Sequence, residues 1–144
     1  DLVRYAEKCD AFVALEGAYN HAAFSPERVR AVLDRIESTN LKVTVDLYNF
    51  LCYDNYKERM QILEHCFKLF REDIVIYHLK DFIVEGPHLK QVGLGKGLMD
   101  FPAIISRIAR ETPDAHLIFE GVTGEDIAPS YRLIAELIRK ENEK

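Results

Sequence analysis

Four residues of this 144-residue chain combine types and spacing that could do metal chemistry. Glu16, Asp46, His78 and Glu120 follow one another at intervals of 30, 32 and 42 residues. Each stands at, or one residue past, the end of a short apolar run. In parallel α/β folds the carboxyl ends of strands face the ligand crevice. Three carboxylates and an imidazole brought to one such rim repel one another unless a cation joins them. Oxygen donors with one nitrogen suit Mn²⁺, Mg²⁺ or Co²⁺ in roughly octahedral geometry, with Zn²⁺ an acceptable alternative. A cation held this way polarises a carbonyl or steadies an enediolate. Two of the carboxylates could then pass protons on opposite faces of a substrate. A single acid at a strand end is ordinarily a solvated loop group. Four in register, one per unit, argue for a site.

The elements that must position them alternate regularly. The runs Ala11–Leu15, Leu41–Val45, Ile74–Tyr77 and Ala115–Phe119 are short and rich in β-branched or aromatic residues. Their near-continuous apolar character predicts parallel strands covered on both faces. Helices are expected between and after them. Ser25-Pro26-Glu27 supplies an N-cap, a first-turn proline and an early acid. Val29, Val32, Leu33 and Ile36 then recur at helical spacing. A second helix is expected from Tyr56 to Phe70, a third from near Asp100, and a last from near Pro129 carrying Leu133, Ile134, Leu137 and Ile138. The charged tail from Arg139 is expected to be solvated and frayed. Leu2 to Cys9 reads as the end of a further helix, and with Asp1 rather than Met first, the chain is expected to begin part-way through a larger design. The result is an α/β fold, a parallel (βα)₄ unit with right-handed crossovers. A doubly wound four-stranded sheet and half of an eight-stranded barrel both satisfy this pattern.

Composition narrows the function classes. With 48% hydrophobic and 30% charged residues, residues 1–144 read as one globular domain. The net charge of -5 gives no general attraction to phosphate backbones or anionic membranes, so neither nucleic acid nor a membrane is expected as a partner. No apolar run reaches the roughly 20 residues of a membrane span. Three cysteines, Cys9, Cys52 and Cys66, cannot all pair within one chain, and free thiols in a cytoplasmic setting are expected.

At these residues the sequence resembles the xylose-isomerase-like TIM-barrel superfamily of sugar isomerases and epimerases, which includes the endonuclease IV branch. The resemblance runs from Phe12 to Ile138 and corresponds to the C-terminal half of the (βα)₈ barrel. It rests on Val13-Ala-Leu-Glu16-Gly, Val43-Thr-Val-Asp46-Leu-Tyr-Asn49, His78-Leu-Lys80-Asp81, Gly93-Leu-Gly95-Lys-Gly97-Leu-Met-Asp100-Phe and Leu117-Ile-Phe-Glu120-Gly, in that order. It implies that Glu16, Asp46, His78 and Glu120 are metal ligands. It implies further that Glu16 and Glu120 do the proton work on a sugar or sugar phosphate through an enediolate, with Asp46 and His78 anchoring the cation. Related members dehydrate inosose-type or shikimate-type substrates by similar enolate chemistry. The family often carries Asp-x-x-His after the second of these strands, where this chain has Asp46-Leu-Tyr-Asn49. Endonuclease IV enzymes need several further histidines, whereas only His78 is well placed here. On this resemblance the chain is expected to lack the N-terminal half-barrel, so a half-barrel without activity of its own is a third reading. Such a half would expose strand edges at Ala11–Leu15 and Ala115–Phe119, favouring self-association into a homo-oligomer.

Several residues around these motifs have a sharp and a bland reading. Asn49 is expected to hydrogen-bond substrate or a ligand. Lys80 is expected to contact substrate or support a ligand, against a surface ion pair with its neighbours. Asn20, in the loop after Glu16, is expected to reach the pocket. Gly93-x-Gly95-x-Gly97 does not directly follow one of the predicted strands and lacks the Walker pattern, so it reads as a turn rather than a phosphate loop. His65 and His116 read as structural, and His88 sits in a polar loop. Cys52 has no identifiable base partner. Tyr48, Phe50 and Tyr53 form an aromatic group that walls a sugar pocket or covers the open edge of the half-barrel.

Overall fold

The computed structural model describes residues 1–143. A short helix α1 (Leu2–Lys8) leads into strand β1 (Val13–Glu16), helix α2 (Pro26–Ile36) and strand β2 (Leu41–Asp46). Helix α3 (Arg59–Phe70), strand β3 (Ile74–Leu79) and a hairpin of β4 (Asp81–Glu85) and β5 (His88–Val92) follow. Helix α4 (Phe101–Glu111), strand β6 (His116–Phe119) and helix α5 (Ile127–Asn142) complete the chain. The helix starts have local causes. Ser25 accepts from the Arg28 amide ahead of Pro26, and Asp100 accepts from the Ala103 amide at 3.2 Å, satisfying donors that the first helical turn leaves unpaired.

Strands β1, β2, β3 and β6 form one parallel sheet in that spatial order. Because sequence order and spatial order agree, right-handed crossovers place the connecting helices α2, α3 and α4 on the same face. A doubly wound sheet would instead reverse its strand order and carry helices on both faces. The arrangement is therefore the half-barrel. Val43, Val45, Tyr77 and Leu79 point to the helices and pack with Leu33, Leu63, Phe67, Ile105 and Ile108 in a buried core. Each such side chain stabilises the fold by about 1.5–3 kcal/mol on leaving water. By the two-residue alternation of strands, Thr44, Asp46, Ile76 and His78 point to the opposite, inner face. Ile118, next to His78 in register, is 43% exposed there.

Four expectations need correction. The segment after His78 is not a plain loop: β4 and β5 pair antiparallel from Asp81↔Val92 to Glu85↔His88. Gly86 and Pro87 make the two-residue turn, with Gly86 at φ +61°, a backbone conformation that glycine reaches without a Cβ clash. His88 thus lies in a strand, and Gly93 directly follows one. The tail from Arg139 continues α5 to Asn142 rather than fraying, with Arg139–Glu143 and Lys140–Glu136 pairs one turn apart. Ile36 and Ile138, expected inside, are exposed. They flank the outer strands β1 and β6, beyond which no further βα unit packs. Among the described residues no helix is long and apolar enough to cross a membrane.

Candidate metal centre

The half-barrel brings Glu16, Asp46, His78 and Glu120 to one rim. One donor atom from each lies within 4.8 Å of the others, a set that could hold a metal ion. The strands place them directly. Glu16 and Asp46 are the last residues of β1 and β2, His78 is the penultimate residue of β3, and Glu120 follows β6. Register puts Asp46 beside His78. His78 Nδ1 lies 2.6 Å from Glu120 Oε2, 3.2 Å from Glu16 Oε1 and 3.9 Å from Asp46 Oδ2.

The four are not equally buried. The Asp46 side chain is 0% exposed, whereas Glu16 is 33% and Glu120 44% exposed. Asp46 therefore lies at the floor and the two glutamates at the opening. Burial pushes the Asp46 carboxyl above the usual carboxylate range, against the opposing pull of Lys80 and the Asn49 amide.

Lys80 occupies this floor as well. Its ammonium lies 2.8 Å from Asp46 Oδ2 and 2.9 Å from Glu120 Oε1, and donates to Asn49 Oδ1 at 3.1 Å. Burial works against its charge, yet the bonds to Asp46 and Glu120 outweigh it and raise the Lys80 pKa above the ordinary lysine value. Asn49 joins the group from three sides. Its backbone amide donates to Asp46 Oδ1 at 3.1 Å, and its Nδ2 donates to Glu16 Oε1 at 2.9 Å. Asn49 and Lys80 thus lie against the acidic group. Asn20 lies farther out, exposed and lining a neighbouring cavity.

Charge and geometry both suit a divalent cation. Three carboxylates against one ammonium leave two negative charges when the imidazole is neutral. Asp46 Oδ2 is fully buried, with the Lys80 ammonium 2.8 Å away as its one close polar neighbour among the described residues apart from the His78 ring at 3.9 Å. A buried carboxylate oxygen so placed is an available ligand atom.

Two features around the rim escaped the sequence reading. Asp81 does not pair with its neighbour Lys80. Buried after β3, it accepts from the amides of Phe82, Gly95, Gly97 and Met99 at 2.8–3.0 Å. The glycine loop therefore wraps a carboxylate of this chain. A Cβ at Gly97 would stand 2.3 Å from the Phe82 carbonyl oxygen, so only glycine permits that approach. The hairpin straps the rim: the Tyr48 hydroxyl donates to the Leu89 carbonyl at 3.0 Å, and Gln91 Nε2 donates to the Glu120 carbonyl at 2.5 Å. The hairpin had a signal in the turn pair Gly86-Pro87, whereas the backbone partners of Asp81 left none in the residue types.

The family model described as "Xylose isomerase-like TIM barrel" matches residues 1–140. No curated protein matches. Among solved structures, a D-tagatose 3-epimerase-like protein superposes with a TM-score of 0.77 at 20% identity, over 99% of this chain and 52% of its own. A xylose isomerase domain protein from Planctomyces limnophilus gives 0.78 at 19% identity, over 100% and 51%. A xylose isomerase-like TIM barrel protein from Mycobacterium smegmatis, in complex with magnesium, gives 0.76 at 12% identity, over 97% and 48%. More distant matches include an L-ribulose 3-epimerase, a probable 3-DHS dehydratase and endonuclease IV from Thermus thermophilus. The chain spans about half the length of the solved structures it matches.

Proposed function

Because the chain belongs to the xylose isomerase-like TIM-barrel family, we propose that it carries the metal-binding half of an isomerase or epimerase acting on a sugar or sugar phosphate. Glu16, Asp46, His78 and Glu120 are the residues that would hold a divalent cation, with Mn²⁺, Mg²⁺ or Co²⁺ preferred by the oxygen-rich set. When bound, such a cation polarises the substrate carbonyl and so acidifies the adjacent C–H.

This chain's own residues then divide the work. Glu16 and Glu120, at the opening, take the proton from one carbon and return it to the other face or the neighbouring carbon by way of an enediolate. Lys80 holds one Glu120 oxygen, and Asn49 holds one Glu16 oxygen, so each glutamate keeps a fixed direction. Asp46 and His78 stay on the floor. The observation that carries this reading is the contrast in burial: two half-exposed glutamates face incoming ligand across a buried aspartate. Enolate dehydration, as in the dehydratase match, would use the same proton removal and differ in losing water. Phosphodiester hydrolysis by the endonuclease route is disfavoured by the single imidazole in the group. The unpaired thiols of Cys9, Cys52 and Cys66 go with a reducing, cytoplasmic setting.

The test is solvent-hydrogen exchange. With Mn²⁺ and a panel of ketoses, deuterium should enter the substrate carbon next to the carbonyl. Glu120→Gln should lower that rate by 10² or more while the chain stays folded. Full exchange by Glu120→Gln would overturn the two-glutamate mechanism.

A further inference from the structure

Beside the acidic group lies a cavity of about 410 Å³, opening between the loops after β1 and β2 and the hairpin tip. Tyr19, Asn20, Tyr48, Asn49, Tyr53 and His88 line it. It adjoins the centre through two of them: Asn49 touches Glu16 and Lys80, and the Tyr48 ring lies 5.7 Å from the Lys80 ammonium. Tyr19 and Tyr53 are each about half exposed and line the opening. The hairpin wall is fixed by the Tyr48–Leu89 bond. Aromatic faces with amide and hydroxyl groups between them suit a chain of CHOH units, which offers C–H edges to rings and hydroxyls to amides.

The lining is as informative about charge. It contains the Asp54 carboxylate and neither lysine nor arginine. Lys80, the ammonium on the centre side, is already taken up by Asp46 and Glu120. Some backbone donors of the lining are engaged too. The Tyr19 amide donates to the Asn49 carbonyl at 2.7 Å, the Leu51 amide to the Tyr48 carbonyl at 2.9 Å, and the Cys52 amide to Asn55 Oδ1 at 2.7 Å. The glycine-loop amides of Gly95 and Gly97 serve Asp81. A phosphate dianion is normally met by arginine, lysine or several free backbone amides.

From this we infer that the cavity receives the end of the substrate remote from the reacting carbons, and that this end is an uncharged polyol, not a phosphate ester. Tyr53 and His88 select it by shape and hydrogen bonding. The inference deepens the isomerase reading and rests on it only for the reacting end.

The test is amide chemical-shift perturbation of the nitrogen-labelled chain with Mg²⁺, titrated with D-fructose and separately with D-fructose 6-phosphate. The free sugar should shift the amides of Asn20, Tyr53 and His88. The ester should bind at least about tenfold more weakly, a factor well above titration error. Tyr53→Ala and His88→Ala should each weaken the free sugar severalfold, with Mg²⁺ affinity unchanged. Asn20→Ala, on an exposed loop, supplies a further variant should Tyr53→Ala not fold. Equal or tighter binding of the ester, shifts confined to the acidic group, or no shift with either sugar would overturn the inference. A blank solvent-exchange assay alongside hairpin shifts would end the isomerase reading and leave the polyol subsite standing.

Discussion

The Lys80 ammonium lies 2.8 Å from Asp46 Oδ2, with the two side chains 7% and 0% exposed. Without a metal, Lys80 is, among the described residues, the one fixed positive charge paired with this group of three carboxylates. Removing one partner of a buried pair costs about 3 kcal/mol or more because the other is left uncompensated. Lys80→Met should therefore lower the metal-free melting temperature markedly, and added Mn²⁺ should raise it by more than it raises the parent chain. Thermal denaturation with and without Mn²⁺ checks this. Equal midpoints and equal Mn²⁺ shifts would contradict it.

Metal affinity should grade with distance from the acidic group's centre. Asp46→Asn and His78→Ala each remove a donor atom, and calorimetric titration should show Mn²⁺ binding weakened by about 100-fold. Asn49→Ala removes only the hydrogen bond that orients Glu16, and should cost about tenfold, at the lower end for such supporting residues. A reversed order would mean the ion sits elsewhere.

Asp81 should prove a stability residue with an indirect effect on the rim. Its carboxylate accepts from four backbone amides, and bonds to a buried charge contribute about 1.5–3 kcal/mol each. Asp81→Asn puts an NH₂ among those donors. The expected loss is about 3 kcal/mol, or about 10 °C in melting temperature for a chain of this size. A variant melting within a degree or two of the parent would show that the glycine loop holds its shape without the charge.

Alkaline pH should unfold the chain through two buried acids. Burial pushes the Cys66 thiol and the Tyr77 hydroxyl well above their ordinary values of 9.0 and 10.0, and Tyr77 also shares a 2.9 Å hydrogen bond with Thr112. Raised folded-state values mean stability is full below pH 9.0 and falls as pH rises from there, since the unfolded chain releases these protons first. Chemical denaturation across this range should show the decline. Tyr77→Phe should flatten it above pH 10.0, and Cys66→Ala should flatten its onset.

Much of this was legible in the residues. The four units read correctly because parallel strands are apolar on both faces, and Glu16, Asp46, His78 and Glu120 interrupt that character at each strand end. The hairpin was not legible as such because His88-Leu-Lys-Gln-Val alternates polar and apolar residues on a half-exposed ribbon, and its signal lay in Gly86-Pro87 rather than in hydrophobicity. The role of Asp81 was hidden for a different reason. Its partners are backbone amides up to 18 residues away, and backbone groups leave no mark on residue type. Ile36 and Ile138 carry helical periodicity like their buried neighbours, and periodicity alone does not say whether another element lies against them.

One carboxylate or imidazole at the tip of every strand has a mechanical side. Residues 16, 46, 78 and 120 belong to four separate βα units that otherwise touch mainly their sequential neighbours. An ion gripped by all four would knot the first unit to the last, much as a drawstring gathers the mouth of a purse. Losing it would slacken every strand tip together, so ion uptake and rigidity of the rim should rise and fall as a single event.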